Sequence, residues 1–171
     1  MKYNRFEELP VWRAAVELAV KVYALTATPA FKGQGSLRDQ IERASVSVSN
    51  NVAEGFERGT TQELLTFLYI ARGSAGEVRS MLCLLERLAA FGDLKSEISN
   101  LKSSAENISR QLRGWADSLQ NSDIKGTRYL NDKTRRTFQS AGECEKFMEE
   151  LRLAQEANII SSRRPEQGDG E

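Results

Sequence analysis

The chain has 171 residues, 24 basic side chains against 24 acidic ones and no histidine, which suits one domain with a substantial core. Without histidine there is no Ser–His or Cys–His nucleophile pair, no His-ligated zinc, no Glu-x-x-His di-metal bundle site and no helical ribonuclease of the Arg…His type. The zero net charge argues against indiscriminate nucleic-acid binding. No signal-peptide pattern and no apolar run long enough for a membrane span are present, so a cytoplasmic protein is expected.

The first predicted helix covers about 10–28, with Pro10 in its first turn, where a missing N–H is no loss. Two apolar stripes run along it. One is Leu9, Trp12, Val16, Ala19 and Tyr23; the other is Val11, Ala15, Leu18, Val22 and Leu25. Together they are wider than one bundle seam needs, so the helix is either buried on two sides of its own bundle or turns one stripe toward another subunit. Breakers over 28–36 predict a loop, with Phe31 tucked against the bundle end. Ser36 is placed to cap the second helix and Asp39 to complement its dipole.

In the second helix Leu37, Ile41, Ala44, Val48, Val52 and Phe56 recur at helical spacing on one face. Gly55 is expected to close the last turn with positive φ. Thr60-Thr-Gln-Glu63 has capping-box form and opens a third helix, and so short a connection makes helices two and three antiparallel neighbours.

The third helix is predicted over 61–91. Leu64, Leu68, Ala71, Ala75, Val78, Leu82, Leu85 and Ala89 alternate steps of four and three, a heptad seam widened by Phe67, Ile70, Ser74, Met81 and Leu88. Cys83, among leucines, reads as a buried thiol rather than a disulfide partner of the distant Cys144. Gly92 ends this helix and Asp93 is placed to cap the fourth, over 94–119. Its seam is Leu94, Ile98, Leu101, Ala105, Ile108, Leu112, Trp115 and Leu119, with Lys102 on the expected solvent face. The expectation is an all-α, antiparallel up-down-up-down four-helix bundle over 1–121 with a short C-terminal helical extension.

Beyond 121 the composition shifts. Lys125, Arg128, Lys133, Arg135 and Arg136 face a single Asp132, with Tyr129 and Phe138 interleaved. An acidic amphipathic helix follows over 143–158, with Phe147, Leu151 and Ala154 as its stripe. The segment 122–160 thus reads as a basic linker plus a short helix, and 161–171, lacking apolar anchors, as a disordered tail. Either the basic stretch contacts phosphates while its aromatics stack on bases, or Glu145, Glu149 and Glu150 neutralise it within the chain.

The corner between helices two and three holds the most unusual residues. Asn51 and Glu54 each lie one position from an apolar residue, at a seam between helices. Gly73 and Ser74 fall mid-helix, where Gly costs about 1 kcal/mol against Ala and is kept when a backbone or buried polar group comes close. Arg43, Asn51, Glu54, Gly55, Arg58, Gly73 and Ser74 therefore either lock the corner or form a ligand site there. For an enzyme, the corner offers only carboxylates (Glu42, Glu54, Glu57), Arg43, Arg58 and hydroxyls, with no acid/base pair of known spacing.

Ser49-Asn-Asn-Val-Ala-Glu-Gly-Phe-Glu-Arg58 and Glu63-Leu-Leu-Thr-Phe-Leu-Tyr-Ile-Ala-Arg-Gly-Ser74 resemble the four-helix-bundle family of the 23S rRNA intervening-sequence protein. Leu9-Pro-Val-Trp-Arg-Ala-Ala15 and Leu37-Arg-Asp-Gln-Ile-Glu-Arg-Ala44 are similar to it too, so the resemblance covers about 6–120. The family usually has Ile-Pro-Ala before its Asn; this chain has Val48-Ser49-Asn50, which leaves the helix without that proline. Members are similar to the accessory variability determinants of diversity-generating retroelements, pentameric rings that bind a reverse transcriptase and its template RNA. The resemblance thus implies a non-enzymatic homo-oligomeric scaffold, a pentameric ring, that binds RNA or an RNA-handling protein such as a reverse transcriptase, with no cofactor, metal or catalytic residue. The alternative is a protein–protein adaptor without nucleic-acid binding, docking through the first and C-terminal helices.

Overall fold

The computed structural model describes residues 3–121; the predicted elements beyond 121 lie outside them. Helix α1 (Pro10–Thr26) begins at its proline, as expected. A 3-10 turn at Phe6–Glu8 precedes it and sets Phe6 edge-on to Trp12, with ring centroids 5.2 Å apart. The Val11, Ala15, Leu18, Val22, Leu25 stripe is wholly buried. The other stripe divides: Leu9 and Ala19 are buried, Trp12 and Val16 half-buried, and Tyr23 exposed.

Helix α2 (Gly35–Glu57) differs from expectation at both ends. Its N-cap is Gln34 and no side chain caps it. Ser36 sits inside the first turn, where its hydroxyl accepts from Gln40 Nε2 at 3.2 Å. Gly33, with φ of 81°, is the residue that turns the chain into the helix and the only positive-φ position among the described residues. Gly55 is therefore an ordinary helical residue, not a left-handed terminator. The helix ends when Arg58 becomes extended, and its N–H still reaches Glu54 O at 3.1 Å. Two residues later the Thr60 hydroxyl accepts from the Glu63 N–H at 3.2 Å and donates to Glu63 Oε2 at 2.8 Å. The predicted cap is present, but the carboxylate takes the hydroxyl rather than the Thr60 N–H.

Helix α3 (Thr61–Leu85) is shorter than predicted. A 3-10 segment, Ala89–Leu94, replaces its last stretch, with a kink at Phe91. Continuing the heptad would have buried Ala89; instead Ala89 is exposed and Phe91, 1% exposed, fills the bundle end. Phe91 meets Phe31 edge-on, centroids 4.9 Å apart, so a larger apolar area is gained by breaking the helix than by extending it. Helix α4 (Lys95–Gln120) follows with Leu94 as N-cap and no side-chain cap, so Asp93 does not serve as one.

Helix α1 packs on α2 and α4, and α3 on α2 and α4. With short connections this is the expected antiparallel up-down-up-down bundle. The seam residues Ile41, Val48, Val52, Leu64, Leu68, Ala71, Ala75, Val78, Leu82, Leu85, Ile98, Leu101, Ala105, Ile108 and Leu112 are buried, joined by Ala116. Each large one contributes about 1.5–3 kcal/mol before chain entropy. Three expectations about single residues change. Lys102 is not free on the solvent face: its Nζ lies 2.6 Å from Glu86 Oε2 across the α3–α4 connection. Ile70, expected to widen the seam, is 46% exposed. Cys83 is a free thiol, half-buried rather than buried. Among the described residues no helix is long and apolar enough to cross a membrane.

Candidate functional site

The corner motif resolves into three separate contacts. Asn51 Nδ2 donates to Ser47 O at 2.7 Å and to Ser47 Oγ at 2.9 Å. Ser47 Oγ lies 3.0 Å from Ser74 Oγ, and the Ser74 hydroxyl reaches Ile70 O at 3.2 Å. This chain of hydroxyls ties the middle of α2 to the middle of α3 inside a half-buried seam, where each polar group needs a partner. Ser47 was not singled out in the sequence, although it is the link; its place one helical turn before Asn51 was the available signal.

The second contact is Arg58 with Glu54, 2.5 Å between Nη2 and Oε1. The same guanidinium sits over the Phe67 ring, 5.1 Å from its centroid. Both charged side chains are about half exposed, at 46% and 50%, so the pair adds little stability on its own and chiefly orients the arginine on the ring. The third is Gly55, where α2 and α3 approach closely: a Cβ there would lie 2.7 Å from Phe67 Cβ and 3.2 Å from Leu64 Cδ1. Gly73, by contrast, is exposed, and a Cβ there would meet nothing within 4 Å. The expected close approach belongs to Gly55, not Gly73.

Arg43 is exposed, and its Nε donates to Asp39 O at 3.2 Å. With Ser47 it lines one wall of a groove of about 510 Å³ between α2 and α3; Glu77 and Ser80 line the other. The groove sets a guanidinium opposite a carboxylate along the outer side of the hydroxyl chain. A second groove, between α3 and α4, is lined by residues of which only Gly73 was a candidate site residue in the sequence, although Tyr69, Arg72, Gly76 and Arg79 recur there at helical spacing. Lys125, Arg128, Tyr129, Lys133, Arg135 and Arg136 lie outside the described residues.

One further polar contact joins α1 to α2. The buried Thr26 hydroxyl donates to Glu42 Oε1 at 2.5 Å, and Arg38 Nε donates to the same oxygen at 2.9 Å. The Thr26 bond holds the Glu42 carboxyl below its ordinary range against the opposing effect of partial burial, and Arg38 adds to it. A carboxyl with a lowered folded pKa stabilises the fold above its unfolded pKa, and that stabilisation fades as pH falls through the folded value. Glu42→Gln should therefore cost roughly 1–2 kcal/mol at neutral pH. The gap to wild type should close as urea melts are taken into the acid range below the ordinary carboxylate pKa; a gap that stays constant with pH would show that the charge of Glu42 contributes nothing.

A solved structure with this architecture is that of a protein of unknown function from the S23 ribosomal protein family of Bacteroides thetaiotaomicron. It superposes with a TM-score of 0.55 at 20% identity, over 62% of this chain and 97% of that one. At that identity the likeness speaks to the fold. None of the curated proteins matches the chain. The family model described as "23S rRNA-intervening sequence protein" matches residues 7–114, a stretch that begins just before α1 and ends near the close of α4. Since that match takes in all of α1, α2 and α3, the hydroxyl chain, the Arg58–Glu54 contact and the Gly55 crossing, the chain belongs to the 23S rRNA-intervening sequence protein family.

Proposed function

We propose that this chain is a non-enzymatic, self-associating helical-bundle scaffold that holds RNA, an RNA-handling protein such as a reverse transcriptase, or both. The observation that carries the reading is the outer side of α1, where Val20 is 58% and Tyr23 47% exposed on a helix that already supplies a full core stripe. Apolar side chains placed outside a satisfied core are what a protein contact covers. Membership of a family described by an rRNA intervening sequence favours an RNA setting. The resemblance to accessory variability determinants favours a closed ring of five chains.

Light scattering after size exclusion tests the assembly. A multiple of the 19.2 kDa chain is expected, reduced to a single chain by Val20→Asp with Tyr23→Asp while the helical signal persists. A wild-type monomer at micromolar concentration overturns the ring. Affinity purification from native cells, with RNA and protein both identified, tests the partner. The balance of 24 basic and 24 acidic side chains favours a second reading, a protein–protein adaptor without nucleic acid. The two separate in a salt titration with RNA. The scaffold requires RNA binding that weakens steeply with salt, and where the 125–136 stretch carries it, Arg135→Ala with Arg136→Ala lowers affinity and salt slope without lowering Tm; the adaptor requires no RNA binding to begin with.

A further inference from the structure

Two glycines in the middle of α3 have no explanation among the described residues. Gly73 and Gly76 are exposed and helical, neither has positive φ, and a Cβ at either would meet nothing within 4 Å. Glycine weakens an exposed helix, so these positions give up helix stability without allowing any closer packing within the bundle. They form the floor of the groove between α3 and α4, of about 370 Å³, whose other lining residues are Tyr69, Arg72, Arg79 and Ser109.

The walls of the groove are cationic. Arg72 and Arg79 stand two turns apart on one face of α3, about 10 Å along the axis. Among the described residues no carboxylate lines the groove. Arg38, Arg58 and Arg113 each face a carboxylate. Arg72 and Arg79 have no hydrogen-bond or ion-pair partner among the described residues, and Arg72 is half-buried. Each guanidinium thus offers its fork of donors to whatever lies in the groove. At one end Gln120 Nε2 donates to Tyr69 Oη at 2.8 Å, which holds the phenol in place while 43% of the residue stays exposed.

We infer that this groove is a phosphate-backbone site for single-stranded RNA. Arg72 and Arg79 each hold a phosphate, the sugar–phosphate chain passes over the bare helix at Gly73 and Gly76, and a base stacks on Tyr69. The inference rests on the RNA-binding reading above and gives it a location on the bundle itself. It also explains how a chain of zero net charge engages a polyanion: the positive charge is local, in a groove whose described lining holds arginines and no carboxylate.

Fluorescence anisotropy of a labelled oligouridine, titrated with the full-length chain over a salt series, tests it. Arg72→Gln with Arg79→Gln should weaken binding about tenfold or more at low salt. The slope of log K against log salt should fall in magnitude by about 1.4, the value for two phosphate contacts on a single strand. Gly73→Leu with Gly76→Leu should also weaken binding while raising Tm, a combination that loss of folding cannot produce. If wild type binds and both pairs bind as it does, the groove is not the site, and loss of binding on Arg135→Ala with Arg136→Ala would leave the RNA reading intact without it. If wild type does not bind, that reading falls and the inference with it. If the glycine pair lowers the assembly mass in light scattering, the groove is a contact between copies of the chain and the inference is overturned.

Discussion

Leu68→Asp is expected to abolish the cooperative thermal transition. Leu68 is 1% exposed in the N-terminal third of α3, within a seam of leucines, valines and alanines that provides no cation for a carboxylate. Burying the charge without a partner costs several kcal/mol, and forcing the side chain out to water loses the leucine and opens the seam. Either route consumes much of the 5–15 kcal/mol by which a domain of ordinary stability exceeds its unfolded state. Leu112→Asp, also 1% exposed, should do the same from α4. The matching control is Ser103→Asp, an exposed position on α4, which should leave the melt within about 0.5 kcal/mol of wild type. Lys102 cannot serve as that control, because reversing its charge breaks the contact with Glu86. Circular dichroism melts showing equal loss in the Leu68→Asp and Ser103→Asp proteins would contradict the assignment of the core.

Gly55→Val should have the second-largest effect, for a reason of packing rather than backbone conformation. The neighbour 2.7 Å from a Cβ at this position is Phe67 Cβ, an atom fixed to the α3 backbone that cannot swing aside. Even alanine requires α2 and α3 to move apart. Valine adds two methyl groups at the same contact, so a loss at or above the usual range of about 1–3 kcal/mol for overpacking is expected. Gly73→Ala provides the contrast. With open space around it, the added methyl should stabilise the helix by about 0.5–1 kcal/mol. Denaturant titrations in which Gly55→Ala and Gly73→Ala move the midpoint in the same direction would refute the close helix contact at Gly55.

The same two glycines mark how far the site was legible. Both read as helix-corner features, Gly55 as a positive-φ terminator of α2 and Gly73 as a point of close approach. Which one is crowded depends on the rotation of α2 against α3, and that rotation is set by the packing of Phe67 and Leu64 rather than by local spacing. The hydroxyl chain was half legible. Asn51 and Ser74 stood out as polar residues near a seam, but Ser47, which connects them, looked like any other serine in the run 43–51. The α3–α4 groove escaped notice because Arg72 and Arg79 read as ordinary surface arginines until the described residues beside them are known to include no carboxylate.

What the sequence determined by itself was the bundle. Steps of three and four along Ile41 to Phe56, Leu64 to Leu85 and Ile98 to Leu112 admit one apolar face per helix, and short connections admit only antiparallel neighbours. Pro10 and the Thr60–Glu63 cap were equally readable, because their chemistry acts within a single turn. Only the tertiary structure decided where α3 stops and what covers α1. The heptad pattern continues through Ala89, but Phe91 gains more by meeting Phe31 from the α1–α2 connection, a contact between residues sixty positions apart. The second stripe of α1 has the composition of a core face throughout, yet the bundle is wide enough to cover Leu9 and Ala19 and leaves Tyr23 in solvent. Local pattern selects the apolar surface of each helix. How much of that surface is buried depends on the size of the partners packed against it, and a linear pattern does not contain that size.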